Sequence, residues 1–112
     1  MGKNTGMNPR DVVSPQSSWQ LIDVLYETAD WSMAIGRWKS DDDGKWRPVL
    51  AQRWNGSEGS KGNPISRGYP TWFVLPDDTY PLYLDSEFIP EAKRAFVREI
   101  LRQPRSRPKS AA

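Results

Sequence analysis

The chain contains no cysteine and no histidine. Without cysteine it can form no disulfide, no thiolate nucleophile and no zinc–sulfur site. Without histidine it lacks the base of serine-type and cysteine-type catalytic arrangements, and it lacks an imidazole ligand for metals. Carboxylate, lysine and tyrosine chemistry remain available. The composition therefore favours a non-enzymatic protein without a cofactor or a metal.

Long apolar runs are also missing. No stretch approaches the roughly 20 apolar residues that cross a bilayer, and the opening MGKNTGMNPRDVV lacks the regions of a signal peptide. We therefore expect a cytoplasmic protein that does not bind membranes. At 112 residues, with 37% hydrophobic and 27% charged residues, the chain is predicted to form one small domain.

Composition divides the chain into three parts. We predict a flexible segment at residues 1–13, a single α+β domain at 14–103 and a disordered basic tail at 104–112. Residues 91–112 contain seven basic and two acidic side chains, a net +5, whereas residues 1–90 contain nine basic and twelve acidic ones, a net −3. A basic end on a slightly acidic body favours an acidic or polyanionic partner, although a merely solubilising tail has the same composition.

One helix is predicted at each end of the domain. The first, over residues 15–28, follows Ser14, a helix-capping residue, and begins with a proline. Its apolar residues recur at helical steps: Trp19, Ile22, Tyr26 and Ala29. The second, over residues 89–103, ends before Pro104. Its predicted apolar stripe consists of Ile89, Ala92, Phe96 and Ile100, flanked by Val97 and Leu101.

A β-hairpin is predicted between the helices. Its turn, DDDG at residues 41–44, supplies glycine and short carboxylates. A four-residue loop pairs Ile35 with Leu50 and Trp31 with Trp54, whereas a two-residue loop would set apolar residues opposite polar ones. The first register therefore predicts that the two tryptophans form a buried cross-strand pair.

Two further strands complete the predicted sheet. TWFVLP, residues 71–76, is continuously apolar and is expected to be buried on both faces. Residues 77–88 are predicted to be irregular or to contain one more short strand, at residues 80–84. Pro48 places the second hairpin strand at an edge or at a bulge. The predicted fold is α+β, a small antiparallel sheet of three to four strands with a central hairpin and with both helices packed on it.

Three arginine–tryptophan alternations, GRWK, KWRP and QRWN, occur in the hairpin strands. Neighbours in a strand point to opposite faces, so turning Trp31 and Trp54 to the core places other Arg and Trp side chains opposite them. Such a face fits base stacking with phosphate contact, or a protein-binding hot spot, or simple packing under covering helices. The candidate partner-binding residues here are Arg37, Trp38, Arg47 and Arg53.

The glycine-rich loop, residues 56–68, is the second candidate site. It resembles a phosphate-binding loop only superficially, because Lys61 precedes Gly62 and no helix follows, unlike the order of a Walker A motif. Long loops in small domains are functional or disordered. We predict a docking surface with Lys61 and Arg67 as its binding residues.

The last helix carries a third candidate. Arg94, Arg98 and Arg102 are four residues apart and so form one ridge, although Glu91 and Glu99 can pair with them. This pattern favours nonspecific electrostatic contact over sequence-specific recognition.

These observations leave three hypotheses about function. The leading one is a non-enzymatic binding or regulatory protein that engages nucleic acid, or a nucleic-acid-handling complex, through the Arg/Trp face, the loop and the basic end. The alternative is a protein-binding inhibitor or adaptor that recognises an acidic protein surface. A small carboxylate-dependent enzyme is the third, and its candidate residues are Asp77, Asp78, Tyr80 and Asp85. The DDDG aspartates are consecutive, so they do not match the alternate ligands of a calcium loop.

Overall fold

The computed structural model describes residues 6–102, so the predicted basic tail lies outside the described residues. Their fold is α+β, as predicted, with a four-stranded sheet, a two-stranded sheet and two helices. The elements are β1 Trp19–Glu27, β2 Trp31–Lys39, β3 Trp46–Trp54, β4 Ile65–Ser66, β5 Tyr69–Pro70, β6 Phe73–Val74, α1 Tyr80–Leu84 and α2 Glu91–Leu101. The larger sheet has the order β1-β2-β3-β6, with every neighbour antiparallel.

The predicted central hairpin is confirmed. β2 and β3 pair without a register shift, with Trp31 opposite Trp54 and Ile35 opposite Leu50. In the turn, the Lys45 amide donates to the Asp43 carboxylate at 3.0 Å. The aspartates thus stabilise the turn by local side-chain to backbone bonds, as their residue type predicts.

The helix predicted over residues 15–28 is wrong, because most of this segment is strand β1. Its pairing with β2 shifts twice, once between Leu21 and Asp23 and once between Val24 and Tyr26. Each shift inserts one extra residue into β1, so inward-facing side chains no longer alternate strictly. Apolar residues then recur at three-residue steps, and this spacing imitates the stripe of a helix.

Both faces of the larger sheet are covered. On the helical side the buried core consists of Leu25, Met33, Ile35, Leu50, Leu75, Tyr80, Ile89 and Val97. On the opposite face it consists of Val12, Trp19, Ala34, Val49, Ala51 and Trp72. No second long helix covers that opposite face within residues 6–102. The chain before β1 contacts it instead, through a short 3-10 turn at Pro9–Asp11 and the buried side chain of Val12.

Residues 6–13 therefore do not have the loose structure expected for residues 1–13. Besides Val12, Pro9 is buried, and the Met7 amide donates to the Asn55 carbonyl at 2.8 Å. These contacts fix the segment to the end of β3. The segment has no apolar period, so its sequence does not indicate that Pro9 and Val12 are buried.

The C-terminal helix forms where the sequence predicts it, but its buried face differs. Val97 and Ile89 are fully buried, whereas Ala92 and Phe96 are exposed. Positions 96 and 97 are both apolar, so the sequence permits two overlapping stripes. Docking of α2 onto the sheet selects the stripe that contains Val97.

The segment after the glycine-rich loop also differs from the prediction. Only Phe73–Val74 pairs with β3, at the edge of the sheet, and the Phe73 side chain is exposed rather than buried. Residues 80–84 form helix α1, not a strand. The Tyr80 hydroxyl accepts the Leu50 amide at 3.2 Å and donates to the Leu75 carbonyl at 3.3 Å.

Strand β3 contains Pro48 without a break in its pairing to β2. The backbone of Leu50 faces away from β2, because its carbonyl accepts the Leu75 amide at 2.9 Å. Pro48 is two residues earlier, so its backbone faces the same way. The missing N–H would therefore have pointed to the part of this edge that β6 does not reach, where proline is tolerated.

A candidate binding groove beside the glycine-rich loop

The predicted Arg/Trp face is not an open platform. Trp38 is half-buried and packs against the core cluster that contains Val12, Trp19 and Trp72. Arg37 alternates with Trp38 along β2, so it projects from the other face of the sheet. Stacking of a nucleic-acid base on Trp38 would require displacement of this covering layer.

Arg47 and Arg53 extend from the same face as Trp38 but differ in environment. Arg47 is half-buried and borders a cavity of about 350 Å³ near Val74 and Asp77. Arg53 is only 2% exposed. Burial lowers the pKa of the Arg53 guanidinium from its ordinary value by desolvation. Arg53 is therefore an internal residue, not a surface contact.

The Arg53 guanidinium connects β3 to the glycine-rich loop. Its Nη1 donates to the Thr71 carbonyl at 2.7 Å, its Nε donates to the Trp54 carbonyl at 3.1 Å, and its Nη2 donates to the Lys61 carbonyl. Among residues 6–102, no carboxylate forms an ion pair with it. Strand alternation could have indicated the burial of Arg53, because it places Arg53 on the same face as the apolar residues Val49 and Ala51.

The loop is further fixed by backbone contacts. Trp54 donates to the Asn63 carbonyl at 2.8 Å, and the Asn63 amide donates to the Trp54 carbonyl at 3.1 Å. Gly62 has a φ of +75°, and a Cβ at this position would lie 2.0 Å from the Trp54 carbonyl oxygen. Only glycine fits there. Gly62 thus allows close packing of the loop on the strand.

A groove of about 440 Å³ opens between this loop and the sheet. It is lined by Trp31, Gln52, Arg53, Trp54, Asn63, Pro64 and Phe73. The Trp54 side chain is 60% exposed and the Phe73 side chain is 53% exposed. The predicted pairing of Trp31 with Trp54 is correct, but their predicted burial is wrong for Trp54. This groove was not found from the sequence.

The strands and an aromatic cluster hold the groove in place. Trp31 packs against Tyr26 and Phe88, with ring centroids 5.2 and 5.3 Å apart. Trp54 and Phe73 are both in paired strands, so their backbones are fixed before any ligand arrives. A preformed apolar groove with a few polar side chains is typical of a binding site.

Beyond the groove, β4 and β5 form a small hairpin. Its two turn residues, Arg67 and Gly68, have φ values of 53° and 86°, as in a type I′ turn. The Lys61 amine donates to the Gly68 carbonyl at 2.8 Å. The structure thus brings the two predicted loop cations, Lys61 and Arg67, to one hairpin tip.

The turn conformation leads to a stability prediction. Arg67→Asn should raise the free energy of unfolding by about 0.5–1 kcal/mol, because asparagine tolerates positive φ and is preferred in type I′ turns. Urea unfolding measures the change. Lys45→Asn, beside the turn of the β2–β3 hairpin, is the matched control and should stay within about 0.5 kcal/mol of the unaltered protein. A less stable Arg67→Asn variant would contradict the assigned turn type.

The three arginines of α2 are engaged within the protein. Arg94 closes the turn before the helix, since its Nη2 donates to the Ser86 carbonyl at 2.9 Å. Arg98 pairs with Asp85. Arg102 pairs with Glu99 at 3.1 Å. The predicted ridge is therefore largely neutralised by groups on the same surface.

Of the residues of the enzymatic hypothesis, Asp77 and Tyr80 line the cavity that Arg47 borders, whereas Asp78 and Asp85 do not. Asp77 and Asp78 belong to an exposed 3-10 turn, Asp85 pairs with Arg98, and Tyr80 bonds to the backbone of the core. Within residues 6–102, no group of three or more acidic side chains could hold a metal ion.

Comparison with known proteins adds no family to this description. No family model, no curated protein and no solved structure matches the chain. In the part of the chain that the structure describes, no helix is long and apolar enough to cross a membrane.

Proposed function

We propose that the protein is a non-enzymatic binding module that docks a partner protein, with an apolar side chain of the partner inserted into the groove. The exposure of Trp54 and Phe73 at the groove carries this proposal. Large aromatic side chains on a rigid surface are characteristic of protein-binding hot spots. This is the adaptor or inhibitor hypothesis of the sequence analysis, transferred to a different surface.

Charge and burial favour this hypothesis over nucleic-acid binding. Residues 6–102 carry twelve basic and fourteen acidic side chains. Nonspecific binding to a polyanion depends on unpaired cations, yet Arg53 is buried and the cations of α2 bond within the protein. Contact between residues 104–112 and a polyanion stays a prediction.

One inserted side chain cannot supply the whole affinity. Burial of a single Leu or Phe side chain contributes about 1.5–3 kcal/mol, whereas micromolar binding requires about 8 kcal/mol. The partner must therefore contact more than the groove. Ile65 and Tyr69 on the β4–β5 hairpin are exposed and extend the apolar surface from Pro64.

The proposal predicts which side chains control binding. We expect random nonapeptides displayed on phage and selected on the full-length protein to converge on a bulky apolar residue. A selected peptide, labelled with fluorescein, should bind Trp54→Ala and Phe73→Ala at least about ten-fold more weakly, because each change removes a wall of the groove. Fluorescence polarisation measures the dissociation constants.

Leu82→Ala is the matched control, since Leu82 is a highly exposed apolar residue outside the groove. It should leave peptide affinity unchanged. Equal binding by the Trp54→Ala variant would contradict the proposal, provided that its melting midpoint matches that of the unaltered protein. Tight Trp54-dependent binding of labelled single-stranded DNA, without peptide binding, would favour the nucleic-acid hypothesis instead.

A further inference from the structure

We infer that the docked partner segment carries a carboxylate about three residues from its apolar anchor, and that Lys61 and Arg67 recognise this carboxylate. This inference rests on the proposed function and names the chemistry of the ligand. The groove would bind the anchor, and the tip of the β4–β5 hairpin would bind the acidic side chain.

Lys61 is fixed relative to the groove at both ends. Its carbonyl accepts a hydrogen bond from Arg53, which lines the groove, and its amine donates to the Gly68 carbonyl at 2.8 Å. An ammonium group has three donors, so two remain for a ligand. This hydrogen bond therefore holds the amine at the hairpin tip.

Arg67 is exposed at the same tip, next to Gly68. Among residues 6–102, no carboxylate forms an ion pair with Arg67 or with Lys61, whereas Arg10, Lys93, Arg98 and Arg102 each have one. The hairpin tip thus carries two neighbouring cations that no acidic side chain of the described chain neutralises.

The backbone of Arg67 gives independent support. A φ of 53° disfavours arginine by about 1–2 kcal/mol relative to glycine. Residues held in sparsely populated backbone conformations concentrate at ligand-binding sites. A side chain that only completed the turn would be better served by asparagine, so the guanidinium itself is the feature that this position supplies.

The distance between anchor and carboxylate follows from the hairpin. Pro64 lines the groove, strand β4 follows at Ile65–Ser66, and Arg67 is the first turn residue after this strand, three positions from Pro64. At roughly 3.3 Å per residue the separation is about 10 Å. A partner segment that runs extended beside this strand covers the same distance in about three residues.

An arginine fork with a neighbouring ammonium group suits a carboxylate. Exposed ion pairs contribute only about 0.2–1 kcal/mol each. Two such pairs predict that an acidic residue improves affinity by about two- to thirty-fold, with much of the gain in the association rate. The carboxylate thus determines which apolar segments bind, and the groove supplies most of the affinity.

The test repeats the nonapeptide display selection on three full-length proteins. The unaltered protein should enrich peptides with Asp or Glu about three residues from a bulky apolar residue. The double variant Lys61→Gln with Arg67→Asn should keep the apolar preference and lose the acidic one. Since Arg67→Asn is expected to stabilise the turn, unfolding cannot explain that loss. Lys45→Gln removes one charge beside the turn of the β2–β3 hairpin. This variant should enrich the same peptides as the unaltered protein.

Polarisation measurements on one selected peptide and its Asp→Asn counterpart complete the test. The acidic form should bind the unaltered protein about two- to thirty-fold more tightly, and 500 mM salt should reduce that ratio. Apolar enrichment without acidic enrichment, or acidic enrichment that persists on the double variant, would overturn this inference alone. Absence of any Trp54-dependent peptide would overturn the proposed function as well. Displacement of the peptide by single-stranded DNA through Lys61 and Arg67 would show that phosphate, not carboxylate, is the ligand.

Discussion

Replacing Arg53 with methionine should lower the free energy of unfolding by about 3–5 kcal/mol. Methionine fills much of the same volume but removes the donor to the Thr71 and Lys61 carbonyls, whereas the Trp54 carbonyl keeps its bond from the Asn63 amide. Each buried acceptor that loses its partner costs about 1–3 kcal/mol. The loop at residues 56–68 should also lose its fixed conformation, because the guanidinium holds it against β3.

Urea unfolding gives the free energy, and amide hydrogen exchange at Asn63 reports on the loop. Arg47→Met is the matched control, since Arg47 is on the same strand and face but is less buried. The free energy of unfolding of Arg53→Lys should fall between those of the two methionine variants, because lysine keeps the charge but not the planar fork. A stability of Arg53→Met equal to that of Arg47→Met would show that the three hydrogen bonds contribute nothing.

Replacing Trp72 with alanine should cost about 3–5 kcal/mol of unfolding free energy. The Trp72 ring is 6% exposed and its centroid lies 6.0 Å from that of Trp19. Its indole N–H donates to the Val12 carbonyl at 2.7 Å. The change therefore opens a cavity in the core on the face opposite the helices. It also removes the hydrogen bond that holds the N-terminal segment on the sheet.

Trp54→Ala is the matched control for this change. Trp54 is mostly exposed, so its loss should cost less than about 1 kcal/mol. Trp72→Phe keeps most of the apolar surface and should isolate the hydrogen bond, at about 1 kcal/mol. Thermal and urea unfolding of the three variants rank their losses of unfolding free energy. Greater destabilisation by Trp54→Ala than by Trp72→Ala would contradict the placement of the two rings.

If the Trp72 and Trp54 variants behave as expected, different tryptophans determine stability and binding. Trp72 would stabilise the fold without touching a ligand, and Trp54 would bind a ligand without stabilising the fold. Arg53 would connect the two properties, since it is buried and yet lines the groove. Binding measurements on Arg53 variants therefore require parallel measurements of loop order.

The hairpin could be predicted from the sequence because its determinants are local. The DDDG turn fixes the loop length, and the loop length then fixes which residues face each other across β2 and β3. Helix α2 was predictable for a similar reason. Pro90 and Pro104 bound a segment whose apolar residues repeat with helical spacing, and α2 at Glu91–Leu101 lies within those bounds.

Strand β1 was not predictable in the same way. Its apolar spacing fits a helix as well as a bulged strand, and only pairing with β2 distinguishes the two. The two bulges are register shifts in the pairing of β1 with β2, and that pairing is a property of the sheet, not of the segment alone.

The candidate site depended on tertiary structure most of all. The sequence placed Lys61 and Arg67 in one loop and paired Trp31 with Trp54. It could not show where along β3 the helices stop covering the sheet. The buried core on the helical side includes Leu50 but neither Gln52 nor Trp54. It also could not show that the segment before β1 covers the opposite face through Val12. Register is set by neighbours along the chain, whereas burial is set by whatever distant segment covers a face.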